Sequence, residues 1–217
     1  MLRFSEEIML LLLHDEDGRF ARVPDWSVRY ALGGGVLMDL ALEDRIDTDP
    51  STLILLDKTP VGDDLLDPML ADIAAAQETR DARYWVERAA ARADQIRERA
   101  LERLIRGGIL EQRDDRFLWV FRARRYPIVD GQAEREVKLR IMGVLFSDDI
   151  PDPRDIVILC LADACGIFKE LLTPREVELA AKRIEQVRKM DLIGQAVTRA
   201  VWDIESSLAI AAQPQFF

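Results

Sequence analysis

The 217-residue chain has only two cysteines and one histidine. Zinc clusters built from cysteine and histidine, and catalytic triads built on histidine, therefore have too few possible members. The single histidine, His14, stands alone in an acidic turn. These shortages predict a protein that is not an enzyme and that has no catalytic residues, no metal and no cofactor.

Long apolar runs and a disulfide framework are also missing. The run Ile8–Leu13 is six residues long, whereas a helix that spans a bilayer needs about 20. Glu6 and Glu7 precede this run, where a secretory signal peptide would carry positive charge. Cys160 and Cys165 stand in an apolar stretch, which favours two buried, reduced thiols. We therefore expect a cytoplasmic protein.

Lysine is scarce, with five residues against 25 arginines, a bias typical of a GC-rich bacterial genome. The net charge is −10 and the pI is about 4.8. This acidic balance argues against diffuse nucleic-acid binding, which depends on the neutralisation of many phosphates. Residues 79–127 are the exception, with 13 arginines against 8 acidic residues. One basic band in an acidic chain points to a binding partner at that band.

The basic band begins with a predicted helix from about Arg80 to Arg106. At about 100° per residue, five small or apolar residues form one core-facing side: Ala89, Ala93, Ile96, Ala100 and Leu104. Five arginines lie along its flank: Arg88, Arg92, Arg99, Arg103 and Arg106. The arginines form either a solvated face held by charge pairs or a ridge that faces an anion. The sequence leaves both interpretations open.

The rest of the pattern predicts helices and a few short strands. Helical spacing covers Phe4–Leu13, a segment from Asp25 or Ser27 to about Leu42, and Leu65–Ala76, while Arg45–Leu56 is typical of short strands or loop. Gly33-Gly34-Gly35 lies inside the second helix, where its expected use is close approach by another helix or by a head group. The triplet is not a phosphate loop, because GxxxxGK[ST] is absent and no GxGxxG follows a strand.

A β-hairpin is predicted after the basic helix. Its first strand is Ile109–Arg113, a turn falls at Asp114-Asp115, and its second strand is Arg116–Arg122. Five consecutive apolar residues in the second strand include three aromatics, which is unusual for a half-buried strand. The strand is either covered on both faces or a prong that enters a bilayer interface or a partner groove, with Phe117, Leu118 and Trp119 as the inserting residues.

Several blocks of sequence resemble the Golgi phosphoprotein 3 family, in the same order along the chain. They are Leu2–Leu12 (LRFSEEIMLLL), Asp15–Gly18 (DEDG), Leu37–Ile46 (LMDLALEDRI), Thr59–Asp67 (TPVGDDLLD) and Arg97–Leu110 (RERALERLIRGGIL). Each block is weak alone, and their order along the chain makes the resemblance strong. It extends weakly through the apolar stretch around Ile156–Glu170.

The resemblance implies a fold and a cellular role. The fold is mainly α, a single domain over residues 1–217 with a central helix bundle, surrounding amphipathic helices and a protruding β-hairpin. Eukaryotic members are peripheral proteins of the cytosolic Golgi face that bind phosphatidylinositol 4-phosphate and act as adaptors for glycosyltransferases. A bacterium has no Golgi, so that the cellular role does not transfer.

The lipid pocket of the family consists of one tryptophan and three arginines, and this chain has only some of these residues at the matching positions. Arg97 matches one arginine, while Asp94 and Gly33 stand where the other two are expected. Trp26 lies two positions from the family tryptophan, and Arg29 could restore a charge by its position. The resemblance thus implies Trp26, Arg29 and Arg97 as head-group residues, with weakened specificity.

We therefore expect a non-enzymatic, cytoplasmic, peripherally membrane-associated protein. Its partners would be an anionic or phosphoinositide membrane lipid and a protein cargo, without nucleic acid. The alternative from another class is a winged-helix-like DNA-binding regulator, because the end of the basic helix and the hairpin resemble the last helix and wing of that fold.

Overall fold

A computed structural model describes residues 1–14, 18–49, 52–114, 124–190 and 197–204. The described chain is mainly helical, as predicted. Its elements are α1 (Phe4–Leu11), α2 (Asp25–Leu42), β1 (Ile46–Thr48), β2 (Leu53–Leu55), α3 (Asp67–Ala75), α4 (Ala82–Ala90), α5 (Ala93–Arg106), β3 (Arg113–Asp114), β4 (Arg124–Arg125), α6 (Gly131–Phe146), α7 (Pro153–Ala164), α8 (Phe168–Leu171) and α9 (Pro174–Arg188). Residues 197–204 are also helical.

Helix α2 packs on α1, α4, α5 and α7, and its three consecutive glycines each meet a different helix. A Cβ atom on Gly33 would lie 2.7 Å from the Ala90 nitrogen in α4. One on Gly34 would lie 2.7 Å from Leu161 Cδ1 in α7, and one on Gly35 would lie 3.1 Å from Phe4 Cβ in α1. The expectation of close approach by another helix is confirmed.

The prediction of one continuous helix over Arg80–Arg106 is wrong, because the helix is interrupted at residues 91–92 and forms α4 and α5. The break lets α4 pack along α2 while α5 packs on both α1 and α2. The predicted core side is nevertheless confirmed, since all five of its residues are buried: Ala89, Ala93, Ile96, Ala100 and Leu104.

Both predicted strand regions contain antiparallel pairs. Strand β1 pairs with β2. The second hairpin is present, but its predicted turn is wrong, since Asp114 is a strand residue that pairs with Arg124. The connection between β3 and β4 therefore follows Asp114. Phe117, Leu118 and Trp119, predicted for this hairpin, lie outside the described residues.

Helix α7 is almost entirely buried. Cys160 lies in it and Cys165 caps its end, and both are buried and form no disulfide, as predicted. None of the helices in the described ranges combines the length and the apolar character that a transmembrane span requires.

We expect Gly33→Ala to lower the free energy of unfolding by about 1–3 kcal/mol, because the added methyl group would push the α4 backbone away from α2. Gly143→Ala is the matched control, since Gly143 lies in α6 with open space around its Cα. Alanine there should be neutral or stabilise by up to about 1 kcal/mol. Urea unfolding of both variants measures the difference, and equal effects would contradict the packing of Gly33 against α4.

Candidate functional site

Several arginines of the basic band are paired with carboxylates of the same chain. Arg88 Nε and Arg92 Nη2 lie 3.3 and 2.6 Å from the same oxygen, Asp72 Oδ2, at the surface of α3. Arg99 Nε lies 3.4 Å from Asp64 Oδ2. These pairs favour the interpretation of a face held by charge pairs over a ridge that faces an anion.

Arg103 is tied even more closely to acidic side chains. Its Nη1 lies 2.7 Å from Asp63 Oδ1 and 3.1 Å from Asp64 Oδ1, and its Nε lies 3.2 Å from Glu6 Oε1. Arg3 Nε shares the Asp63 carboxylate from the other side at 2.8 Å. Arg103 therefore joins α5 to α1 and to the loop before α3, and it is not available to an external anion.

Arg97 differs from these four arginines. It is half-buried, and its guanidinium carbon lies 5.0 Å from the centre of the Phe20 ring, the geometry of a cation–π contact. No carboxylate among the described residues forms an ion pair with it. The Arg97 guanidinium is thus held against an aromatic ring and forms no ion pair with a described residue.

A cleft of about 530 Å³ opens at Arg97. One of its walls is a single side of α5, formed by Asp94, Arg97, Glu98, Leu101, Glu102 and Ile105. The opposite wall carries the Phe20 and Tyr126 rings, whose centres are 5.6 Å apart. The cleft therefore combines apolar and aromatic side chains with one guanidinium and three carboxylates.

The cleft lies at the base of the hairpin β3–β4. Gln112 and Tyr126, which line it, stand immediately beside the two strands. The Tyr126 N–H donates to the Gly18 carbonyl at 2.8 Å, and Gly18 has φ +63°, with the Tyr126 and Pro127 backbone directly against its Cα. This contact ties the hairpin base to the segment that carries Phe20.

The structure brings only part of the predicted site together. Arg97 and Asp94 line the cleft, whereas Trp26 and Arg29 are not among its described lining residues. The Trp26 ring faces Tyr30 at 6.5 Å, and Arg29 Nη1 lies 3.7 Å from Asp25 Oδ2. A head-group role for Trp26 and Arg29 stays a prediction.

The pocket differs from the expected one at Gly33 and at Phe20. Gly33, aligned with a family arginine, is buried against α4, so that no side chain fits there while α4 keeps its position. Phe20, which the sequence analysis did not single out, provides the aromatic ring beside Arg97. Its only signal in the sequence is an aromatic residue directly after the acidic turn.

A second charged cluster lies inside the bundle and is structural. The Asp39 carboxylate, fully buried, accepts from the Phe4 N–H at 2.8 Å and lies 3.4 Å from Arg154 Nη1. Glu7 lies between Arg140 and Arg154, at 3.2 and 3.5 Å. Burial raises the pKa of Asp39 to about 7 and also raises the pKa of Glu7.

In the ranges that the structure describes, no group of three or more His, Cys, Asp or Glu side chains is arranged to hold a metal ion. The helical bundle with a two-stranded hairpin has the architecture that the family resemblance predicts.

The profile of the Golgi phosphoprotein 3 (GPP34) family matches residues 4–204, and the chain belongs to this family. It is 24% identical over 212 aligned residues to vacuolar protein sorting-associated protein 74 of Eremothecium gossypii. The alignment covers 82% of this chain and 63% of that relative, so that the chain spans less than two thirds of the relative's length. The bacterial source inferred from the arginine bias stays a prediction.

The raised pKa of Asp39 predicts a pH dependence of stability. Asp39 has its ordinary pKa of 3.8 in the unfolded chain and a pKa of about 7 in the folded protein. Proton binding by Asp39 therefore stabilises the folded state fully below pH 3.8, and this stabilisation is lost as the pH rises through 7. In Asp39→Asn this loss is removed. Between pH 5 and 7 the unfolding free energy of the variant should therefore rise relative to the native protein by about 1 kcal/mol per pH unit.

Urea titrations of both proteins at pH 5, 6 and 7 measure this difference. Asp148→Asn, at an exposed aspartate after α6, is the control and should show no such trend. A difference between Asp39→Asn and the native protein that stays constant, or that changes in the opposite direction, would show that Asp39 remains ionised beside Arg154.

Proposed function

We propose that this chain is a non-enzymatic peripheral membrane protein that binds an anionic membrane phospholipid, with a lipid phosphate on Arg97. The observation that carries the proposal is the Arg97 guanidinium in a cleft beside the hairpin base, where no described carboxylate forms an ion pair with it. A guanidinium held over an aromatic ring keeps its hydrogen-bond donors free for a phosphate. Family membership supports the same function.

Phosphatidylinositol 4-phosphate is the lipid that the family resemblance implies. Two positions of the family pocket differ here, because Gly33 is buried and Asp94 adds a negative charge at the cleft. Each charge-assisted bond to phosphate contributes about 1.5–3 kcal/mol, so that the loss of two should leave a modest affinity. We propose Asp94→Arg as the change that raises it.

The hairpin supports docking from the same side of the molecule. Gln112 and Tyr126 line the cleft and adjoin β3 and β4, so that a lipid in the cleft and a hairpin tip in the interface would occupy one surface. Phe117, Leu118 and Trp119 would enter the bilayer at head-group depth. The bilayer would be reached from the cytoplasm, in keeping with two cysteines that form no disulfide.

An adaptor role for protein cargo is part of the proposal by family resemblance. A DNA-binding role finds little support in the charge pattern, because Arg88, Arg92, Arg99 and Arg103 are paired with carboxylates and are not free for phosphates. An acidic chain with these arginines occupied lacks the electrostatic footprint of a DNA-binding surface.

Arg97→Ala should lower the affinity for vesicles that contain phosphatidylglycerol or phosphatidylinositol 4-phosphate by about tenfold, the effect of one lost charge-assisted bond. Liposome flotation measures the binding. Arg175→Ala, at an exposed arginine in the first turn of α9, is the matched control and should bind as the native protein does. Equal binding by both variants would show that Arg97 is not part of the lipid site.

Trp119→Asp should weaken flotation while the melting temperature stays within a few degrees, because an interfacial tip contributes little to the core. Trp85→Asp provides the contrast, since Trp85 is 3% exposed and its change should unfold the protein. A large fall in the melting temperature of Trp119→Asp would place Trp119 in the core and contradict the insertion of the hairpin.

A further inference from the structure

We infer that the Arg97 cleft selects a phospholipid head group that carries a primary ammonium next to its phosphate, the chemistry of phosphoethanolamine. The inference rests on the proposed function, since it names the lipid class for the same cleft. It follows from the charges that surround Arg97, which the family pocket of three arginines does not have.

The charges alternate along one side of α5. Asp94, Arg97 and Glu98 stand at positions i, i+3 and i+4, so that their side chains project from neighbouring turns. All three line the cleft. Within the part of the chain that the structure describes, neither Asp94 nor Glu98 forms an ion pair, whereas Glu102 is paired with Arg99 at 2.9 Å. The cleft thus presents one available cation flanked by two available anions.

A head group with further phosphates does not fit this arrangement. The second phosphate of an inositol phosphate would bring more negative charge next to Asp94 and Glu98, where like charges repel. A phosphodiester with an ammonium two carbons away carries opposite charges about one helical turn apart. Its phosphate matches Arg97, and its ammonium matches the two carboxylates.

The aromatic rings favour a primary ammonium over a quaternary one. Quaternary ammonium groups bind to open aromatic faces. Here the Arg97 guanidinium already lies over the Phe20 ring, and Tyr126 is only 7% exposed. A primary ammonium instead donates up to three hydrogen bonds, which carboxylates such as Asp94 and Glu98 accept.

Flotation with three vesicle compositions tests the inference. All contain the same fraction of phosphatidylglycerol, and the remainder is phosphatidylcholine alone or includes phosphatidylethanolamine or phosphatidylinositol 4-phosphate. We expect phosphatidylethanolamine to raise the bound fraction at least threefold over phosphatidylcholine and to exceed phosphatidylinositol 4-phosphate. Binding that is equal for ethanolamine and choline lipids, or highest for the phosphoinositide, would overturn the inference.

The variant Asp94→Asn/Glu98→Gln should lose the preference for phosphatidylethanolamine and keep its binding to phosphatidylglycerol. Glu136→Gln, at an exposed glutamate on α6, is the matched control and should keep the preference. A preference that survives in the double variant would overturn the role of the two carboxylates. Absence of flotation with every composition, by contrast, would contradict the proposed function itself.

Soluble probes separate a lipid source from a free metabolite. Phosphoethanolamine, phosphocholine and inorganic phosphate are titrated into the labelled protein while the amide signals of residues 94–105 are followed by NMR. A lipid site predicts weak, millimolar shifts for phosphoethanolamine that exceed those for the other two. Micromolar binding of phosphoethanolamine without flotation would identify a free metabolite as the ligand and overturn the membrane assignment.

Discussion

The position of the cleft depends on three adjacent glycines in α2. Gly33, Gly34 and Gly35 let α4, α7 and α1 approach the same short stretch of backbone from three directions. Helix α5 then packs on α1 and α2 and presents its outer side to Phe20 and Tyr126. A side chain at Gly33 would move α4, and with it the start of α5.

Ion pairs within this acidic chain decide which charged side chains remain available to bind a ligand. The acidic residues of the block Thr59–Asp67 serve the fold: the Asp67 carboxylate accepts the backbone N–H groups of Val61, Gly62 and Asp63 at 2.8–3.1 Å. Asp63 in turn holds Arg3 and Arg103. The blocks Leu2–Leu12 and Thr59–Asp67 therefore stabilise the bundle. The charged side chains that could meet a ligand lie on α5, where Arg97 matches the family pocket and Asp94 departs from it.

Periodicity and family resemblance were enough to predict a mainly helical fold with a hairpin. The core side of α4 and α5, the helix Asp25–Leu42, short strands within Arg45–Leu56 and the presence of the hairpin after α5 follow from local patterns. The break at residues 91–92 and the register of β3 and β4 could not be predicted, because packing of distant helices and the pairing of single residues decide them.

The candidate site was predictable only in part, for the same reason. Arg97 was identified by resemblance, but its difference from Arg88 and Arg92 depends on Asp72, 16 and 20 residues before those arginines in the sequence. Phe20 lies against Arg97 in a segment that pairs with Leu13 and that the hairpin base binds at Gly18. Such long-range contacts leave no periodic signal in the sequence. The lack of an ion pair at Arg97 and its contact with Phe20 are therefore visible only in the structure.

Hydrogen exchange of the full chain with and without phospholipid vesicles tests the central claim most directly, since it shows which side of the molecule faces the bilayer. The account predicts slower exchange at residues 94–112 and 124–128, around the cleft and the hairpin base, and unchanged exchange in α9. Protection confined to the exposed apolar side of α6, around Leu139 and Phe146, with no change at residues 94–112, would contradict it.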